Sequence, residues 1–249
     1  MQNYKMVIGY DGRRYMGFTM KKESQDKSIQ GKLEMILEKL YGEPVEVIGA
    51  VNTDAGVHAK HQVVNFVAKD DSMNAKELHA YFEKYLTDDI IVYSVEPVDE
   101  RFHSRYLAQR ITYSSRLWKL DAPNRPLFER QYVNVMAQKL DVAKMKDAAI
   151  DFIGEHNFTP FTTNTKVKNP IKKVFSVTIA ETDHEIIITM IANGFLLNME
   201  RLIVGTLIQA GLGQLPNNTV ERALHFQKSE YVGHKSMAGA LCLEDVAYS

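Results

Sequence analysis

The rhythm of apolar and polar positions changes several times along this chain, and each change predicts an element. Tyr4–Tyr10 alternates as a strand does. Ser28 can cap a helix that carries Ile29, Leu33, Ile36, Leu37 and Leu40 on one face, with Gly42 ending it. Val45–Gly49 and Gln62–Val67 read as strands two and three. Asn74 with Glu77 makes a capping box for a helix that buries Leu78, Tyr81, Phe82 and Tyr85. Ile90–Glu96 reads as a fourth strand. The order is β-α-β-β-α-β, the split ferredoxin-like pattern.

The second half repeats that order. Tyr106–Leu117 reads as a long strand, and Asp141 caps a helix through Met145, Ala149, Phe152 and Ile153. Val174–Ala180 and Glu185–Ala192 form a hairpin about Glu181-Thr182-Asp183-His184. Gly194–Leu212 reads as helical, Thr219–Phe226 as a second short helix, and Leu241–Ala247 as a closing strand. The expected fold class is α+β. Two ferredoxin-like βαββαβ halves, 1–104 and 105–249, are expected to share one extended, mainly antiparallel sheet with helices packed on it. The active-site cleft is expected between them. Leu120–Arg130, with Pro123 and Pro126, reads as a surface loop.

Composition narrows the class. The chain has 249 residues, 45% hydrophobic and 24% charged, as in a soluble globular protein with a substantial core. The one cysteine, Cys242, excludes an intrachain disulfide and suits a reducing compartment, so a cytoplasmic location is expected. The start shows no signal-peptide pattern, and Glu200-Arg201 interrupt the longest apolar stretch, which argues against a membrane span. Net charge is −1, so any binding of nucleic acid must draw on local positive clusters. Candidates are Arg13, Arg14, Lys21 and Lys22, then Lys166, Lys168, Lys172 and Lys173. A charge run is also what a solvated face looks like.

The candidate chemistry begins with Asn52-Thr53-Asp54-Ala55-Gly56-Val57-His58-Ala59, a polar loop between two strands. Asp before Ala-Gly is ordinary turn chemistry. It also describes a carboxylate fixed at a strand end and able to act as a nucleophile. Arg201 falls on an apolar face of the expected 194–212 helix. A buried guanidinium there needs an anion, from Glu200, Glu34, Asp54 or a substrate phosphate. Tyr113 lies on a strand expected to carry Arg105, Arg110 and Arg116. It is either a core residue or a surface on which a base stacks. His58 and His61 lack the further ligands of a metal site, so no metal is expected.

These residues fall into motifs that resemble the tRNA pseudouridine synthase A family along nearly the whole chain. They are Tyr10-Asp11-Gly12 with Gly17-Phe18, Thr53-Asp54-Ala55-Gly56-Val57-His58-Ala59, and Phe102-His103-Ser104-Arg105 with Ala108, Arg110 and Tyr113. His156–Phe161 and Met199-Glu200-Arg201-Leu202-Ile203-Val204-Gly205 complete the set. The resemblance implies a uridine-to-pseudouridine isomerase acting on the tRNA anticodon stem-loop. It implies Asp54 as catalytic residue, Arg201 salt-bridged to it, and Tyr113 stacking on the substrate. Asn52, Thr53, His58, Arg105 and Arg110 are the further residues expected to bind substrate. It also implies a homodimer with tRNA lying across both subunits, and no cofactor. The chain departs from the pattern where the family's Arg before Thr53 is Asn52, where its first Tyr is Ile111, and where Trp-Gln is Phe18-Thr19. These departures leave open a paralogue acting on another RNA, beside a non-catalytic RNA-binding relative. An aspartate-nucleophile hydrolase is the third class. It would need Mg²⁺ ligands or a second carboxylate near Asp54, and neither is evident.

Overall fold

A computed structural model describes residues 1–19, 25–164 and 166–248. The expected contributions of Lys21 and Lys22 therefore lie outside the described residues. The chain forms two compact units, Met1–Gln109 with Leu243–Ser249, and Arg110–Cys242. The fold is mixed α+β.

The first unit holds β1 (Asn3–Tyr10), α1 (Ile29–Tyr41), β2 (Ile48–Gly49), β3 (His58–Val67), α2 (Ala75–Tyr85) and β4 (Ile90–Val98). Its strands run in the order β4-β1-β3, with β2 antiparallel on β3. Both helix starts are those the sequence predicts. Ser28 accepts from Gly31 N, and Asn74 and Glu77 close a full capping box. Gly42 ends α1 in the left-handed conformation. Leu78 and Phe82 are buried as expected, but Tyr85 is exposed at the helix end, with Lys39 Nζ 4.1 Å from its ring centre.

Two strands in this unit differ from expectation. Val45 and Val47 are buried, yet only Ile48–Gly49 forms a strand. Val47 N donates to the Glu34 carboxylate at 3.0 Å instead of to a neighbouring strand. β3 starts four residues early, at His58, and so absorbs the end of the loop.

The second unit holds β5 (Arg110–Trp118), β6 (Asn134–Val135), α3 (Val142–Ile150), β7 (Gly154–Asn157), β8 (Ile171–Glu181), β9 (Glu185–Ala192), α4 (Met199–Gly211) and α5 (Thr219–Phe226). The strands run β5-β9-β8-β7, and β6 adds parallel to β5. The short strands β6 and β7 escaped the pattern because neither has an apolar alternation. The hairpin turn lies where expected, closed by Thr182 N to Glu185 O at 2.8 Å. Asp141 caps α3, which stops at Ile150, so Phe152 and Ile153 follow it. The last strand, β10 (Leu241–Ala247), matches its expected bounds and pairs with β3.

α5 also matches its expected bounds. The preceding helix is shorter than expected. Residues 194–198 stay outside it because Leu197 O accepts from Thr163 N and Thr162 Oγ1, and Asn198 takes φ +63°.

α4 is buried on most of its surface, as its apolar residues on nearly every side predict. Gly205 makes this possible. A Cβ there would lie 1.6 Å from the backbone oxygen of His234, so the 233–236 segment crosses the helix at backbone contact. Thr206 Oγ1 accepts from Gly233 N at 2.9 Å, and Ser236 N donates to Arg201 O at 3.0 Å. Gly205→Ala is therefore expected to push this segment off α4. An overpacking cost of about 1–3 kcal/mol should appear as a lowered midpoint in thermal or urea unfolding. An unchanged midpoint would mean that the segment can move away freely.

Candidate active site

The Asp54 loop is held by the opening motif of the chain, with both in the first unit. Thr53 is buried, and its hydroxyl lies 2.8 Å from the Tyr10 hydroxyl. Its carbonyl accepts from Phe18 N at 3.0 Å. Gly17 has φ +106°, and a Cβ there would sit 2.6 Å from Thr53 O. Only glycine suits this position, on both conformational and steric grounds. Beyond the aspartate, Val57 N donates to Asp54 O at 3.1 Å and Gly56 N to Tyr15 O at 3.3 Å. Before it, Gln62 grips Val51 at both backbone groups, Nε2 to O at 2.7 Å and N to Oε1 at 3.3 Å. Asp54 itself is half-buried. Its backbone is thus tied on both sides.

Several expected binding residues also serve this loop. Thr53 anchors it from beneath. His58 is buried, and its Nδ1 accepts from Gly12 N at 3.2 Å, with Asp11 Oδ1 also 3.2 Å away. His61 is three residues along the same strand and so points to the other face, where its Nδ1 lies 2.7 Å from Asp245. No group able to hold a metal ion occurs among the described residues. Arg105 is not on a strand. It lies in the 103–107 turn, where its Nη2 donates to Asn52 Oδ1 at 2.8 Å and its Nε to Gly49 O at 3.1 Å. Asn52 is exposed. Sequence reasoning missed Gln62 and Tyr10 as loop anchors. Gln62 is the first residue of the strand expected from the sequence, and it is fully buried.

The second unit holds the other two principal candidates. Tyr113 is 1% exposed and pairs in register with Met190 on β9. Phe195 meets its ring edge-on at 5.3 Å. Arg201 is half-buried in the first turn of α4, less enclosed than its apolar helix face implies. Its Nε donates to Ser236 O at 2.9 Å and its Nη1 to Asn198 Oδ1 at 3.4 Å. Neutral oxygens are thus among its partners. Glu34, one of the candidate anions, accepts within its own unit from Val47 N and Gln30 Nε2, each at 3.0 Å. Burial raises the Glu34 pKa.

The positive clusters are thinner than the sequence implies. Arg13 is held by Asp11 with Nε 2.9 Å from both carboxylate oxygens, and Arg116 by Glu185 at 2.7 Å. Arg110 is exposed at the start of β5, its guanidinium carbon 5.2 Å from the centre of the Phe175 ring. Arg14, Lys166, Lys168 and Lys173 are exposed. Lys172 is half-buried, and that burial moves its pKa below the usual lysine range. No helix among the described residues is long and apolar enough to cross a membrane.

Comparison with known proteins agrees with these motifs. The sequence matches the tRNA pseudouridine synthase family over residues 6–107 and 148–249. It is 37% identical to tRNA pseudouridine synthase A 2 of Bacillus cereus (strain ZK / E33L), across 100% of both chains. It is 38% identical to tRNA pseudouridine synthase A of Bacillus sp. (strain KSM-64) and 36% identical to that of Clostridium kluyveri, again across 100% of both chains. A family match that enters both units, with relatives matched end to end, shows that this chain belongs to the tRNA pseudouridine synthase family.

Proposed function

We propose that this protein isomerises uridine to pseudouridine in tRNA, with the anticodon stem-loop as its target and Asp54 as its catalytic carboxylate. The observation that carries the reading is the fastening of the Asp54 loop by Tyr10, Gly17, Phe18 and Gln62. This machinery fixes a backbone around one carboxylate, where an ordinary turn would need only its own hydrogen bonds. The reaction breaks the N1–C1′ bond, turns the uracil, and rejoins it to C1′ through C5. Asp54 attacks either C1′ or C6, and a base then removes the C5 proton. Tyr113 holds the uracil and Arg201 stabilises the ionised carboxylate, since a guanidinium favours the charged form of an acid. The target base leaves its stack before reacting. The protein acts as a cytoplasmic homodimer with tRNA across both subunits and needs no cofactor. The deciding experiment maps pseudouridine in total tRNA from cells with and without the protein. A missing modification that returns with the native gene supports the reading, and an unaltered map overturns it.

Asp54→Asn is expected to abolish pseudouridine formation while tRNA affinity changes less than threefold. The amide keeps the shape and loses the nucleophile. Measurable single turnover by this variant would remove Asp54 from the mechanism.

Arg201→Lys keeps the charge but loses the Nε donor to Ser236 and the planar fork. The rate at saturating tRNA should fall on the order of tenfold or more. Stability should fall by about 1.5–3 kcal/mol, the scale of hydrogen bonds made by a charged donor. A native rate with a lowered melting temperature would leave Arg201 a structural role only.

Asn52 stands where the family has an arginine, and the basic group beside it is Arg105. Lys60 is occupied by Glu244 at 2.9 Å. Asn52→Arg is expected to speed modification of an intact anticodon arm more than that of an unpaired oligonucleotide, because charge at this point helps open a stacked base. Crowding two guanidinium groups costs little at an exposed position, about 0.5 kcal/mol. Equal acceleration of both substrates would show that Asn52 has no part in base opening.

A further inference from the structure

Tyr106 is the most exposed aromatic residue of the first unit, at 80%. Single exposed apolar residues are common, and an exposed ring gains meaning when it belongs to a built surface. Its neighbour Leu107 is also exposed, so the feature is a small apolar tip and not a single stray ring.

The tip is rigidly built. The Tyr106 ring lies on the His103 ring with centroids 4.0 Å apart and planes 28° apart. His103 Nδ1 accepts from both Arg105 N and Tyr106 N at 3.2 Å, and Leu107 N donates to His103 O at 3.1 Å. The imidazole is thus held by the turn it organises. Tyr106 is stacked against a fixed backing, and at 80% exposure its outward surface faces solvent. Adjacent bases in a nucleic acid are offered a similar surface by each other.

The tip is also joined to the Asp54 loop. Arg105 lies between His103 and Tyr106 in sequence, and its guanidinium holds Asn52, two residues before Asp54, and Gly49. One turn thus carries both the aromatic stack and the cation beside the catalytic loop. An exposed aromatic with an adjacent arginine is the combination that binds unpaired nucleotides, by stacking on the ring and by charge on the backbone.

We propose that Tyr106, backed by His103, is a stacking site for an RNA base flanking the target uridine, with Arg105 placed to meet the backbone of the same strand. The site rests on the tRNA-modifying reading and adds a residue that selects where on the RNA the enzyme stops. A neighbouring base that stacks here cannot stack on the target, so opening of the target is favoured.

The test uses the full-length protein and the substrate tRNA. Tyr106→Leu keeps an apolar side chain but removes the π-face. It should raise the half-saturating tRNA concentration about five- to hundredfold, the range that loss of one base–aromatic stack produces, with a much smaller fall in the saturated rate. Tyr106→Trp should restore native affinity, which a general packing role would not allow. A 2-aminopurine placed beside the modified uridine should lose fluorescence on binding the native protein, and lose less on binding Tyr106→Leu. Unchanged affinity in Tyr106→Leu overturns the proposal. So does a change in sedimenting mass with RNA affinity per active site intact, because Tyr106 would then contact another copy of the chain. If the native protein binds tRNA with quenching yet forms no pseudouridine, the catalytic reading fails while the stacking site stands.

Discussion

Much of the first unit depends on one constraint: the loop that carries Asp54 must satisfy its own backbone without regular structure. An unpaired buried amide or carbonyl costs about as much as a lost hydrogen bond. The loop's solution is to borrow partners. Phe18 N and the Tyr10 hydroxyl take Thr53, Gln62 takes Val51, and Tyr15 O takes Gly56 N. The 15–18 segment can approach this closely because Gly17 lacks a side chain. The opening motif and the aspartate motif, far apart in sequence, are one structural object.

The second unit meets a related constraint differently. Its Arg201 sits at the start of a helix buried almost all round, where a charge could be left without solvent. Gly205 and Gly233 let the 233–236 strip lie directly on α4, and the strip presents Ser236 O to the guanidinium. The motif Met199–Gly205 thus carries both the candidate arginine and the glycine that brings a partner to it.

Local chemistry was legible where a residue's preference and its neighbours agreed. Ser28, Asn74 and Asp141 cap the helices that their spacing predicts, and the turn at 181–184 is where its polar residues place it. Readings failed where a side chain intercepted a backbone group. Glu34 takes Val47 N and shortens β2, while His103 takes two amides and delays β5 until Arg110. Charge was misjudged for a similar reason. Arg13 and Arg116 look free in sequence and are held by Asp11 and Glu185.

The sequence by itself determined the order of the longer elements, most of the buried faces, the family motifs and the identity of the candidate carboxylate, because these depend on spacing and residue type. Tertiary structure decided what each candidate touches. Thr53 and His58 are buried and bonded to Tyr10 and Gly12, Arg105 braces Asn52, and Tyr106 stands outward on His103 instead of lying in a strand. Such outcomes turn on hydrogen bonds between residues tens of positions apart, and no local pattern encodes which distant partner arrives first.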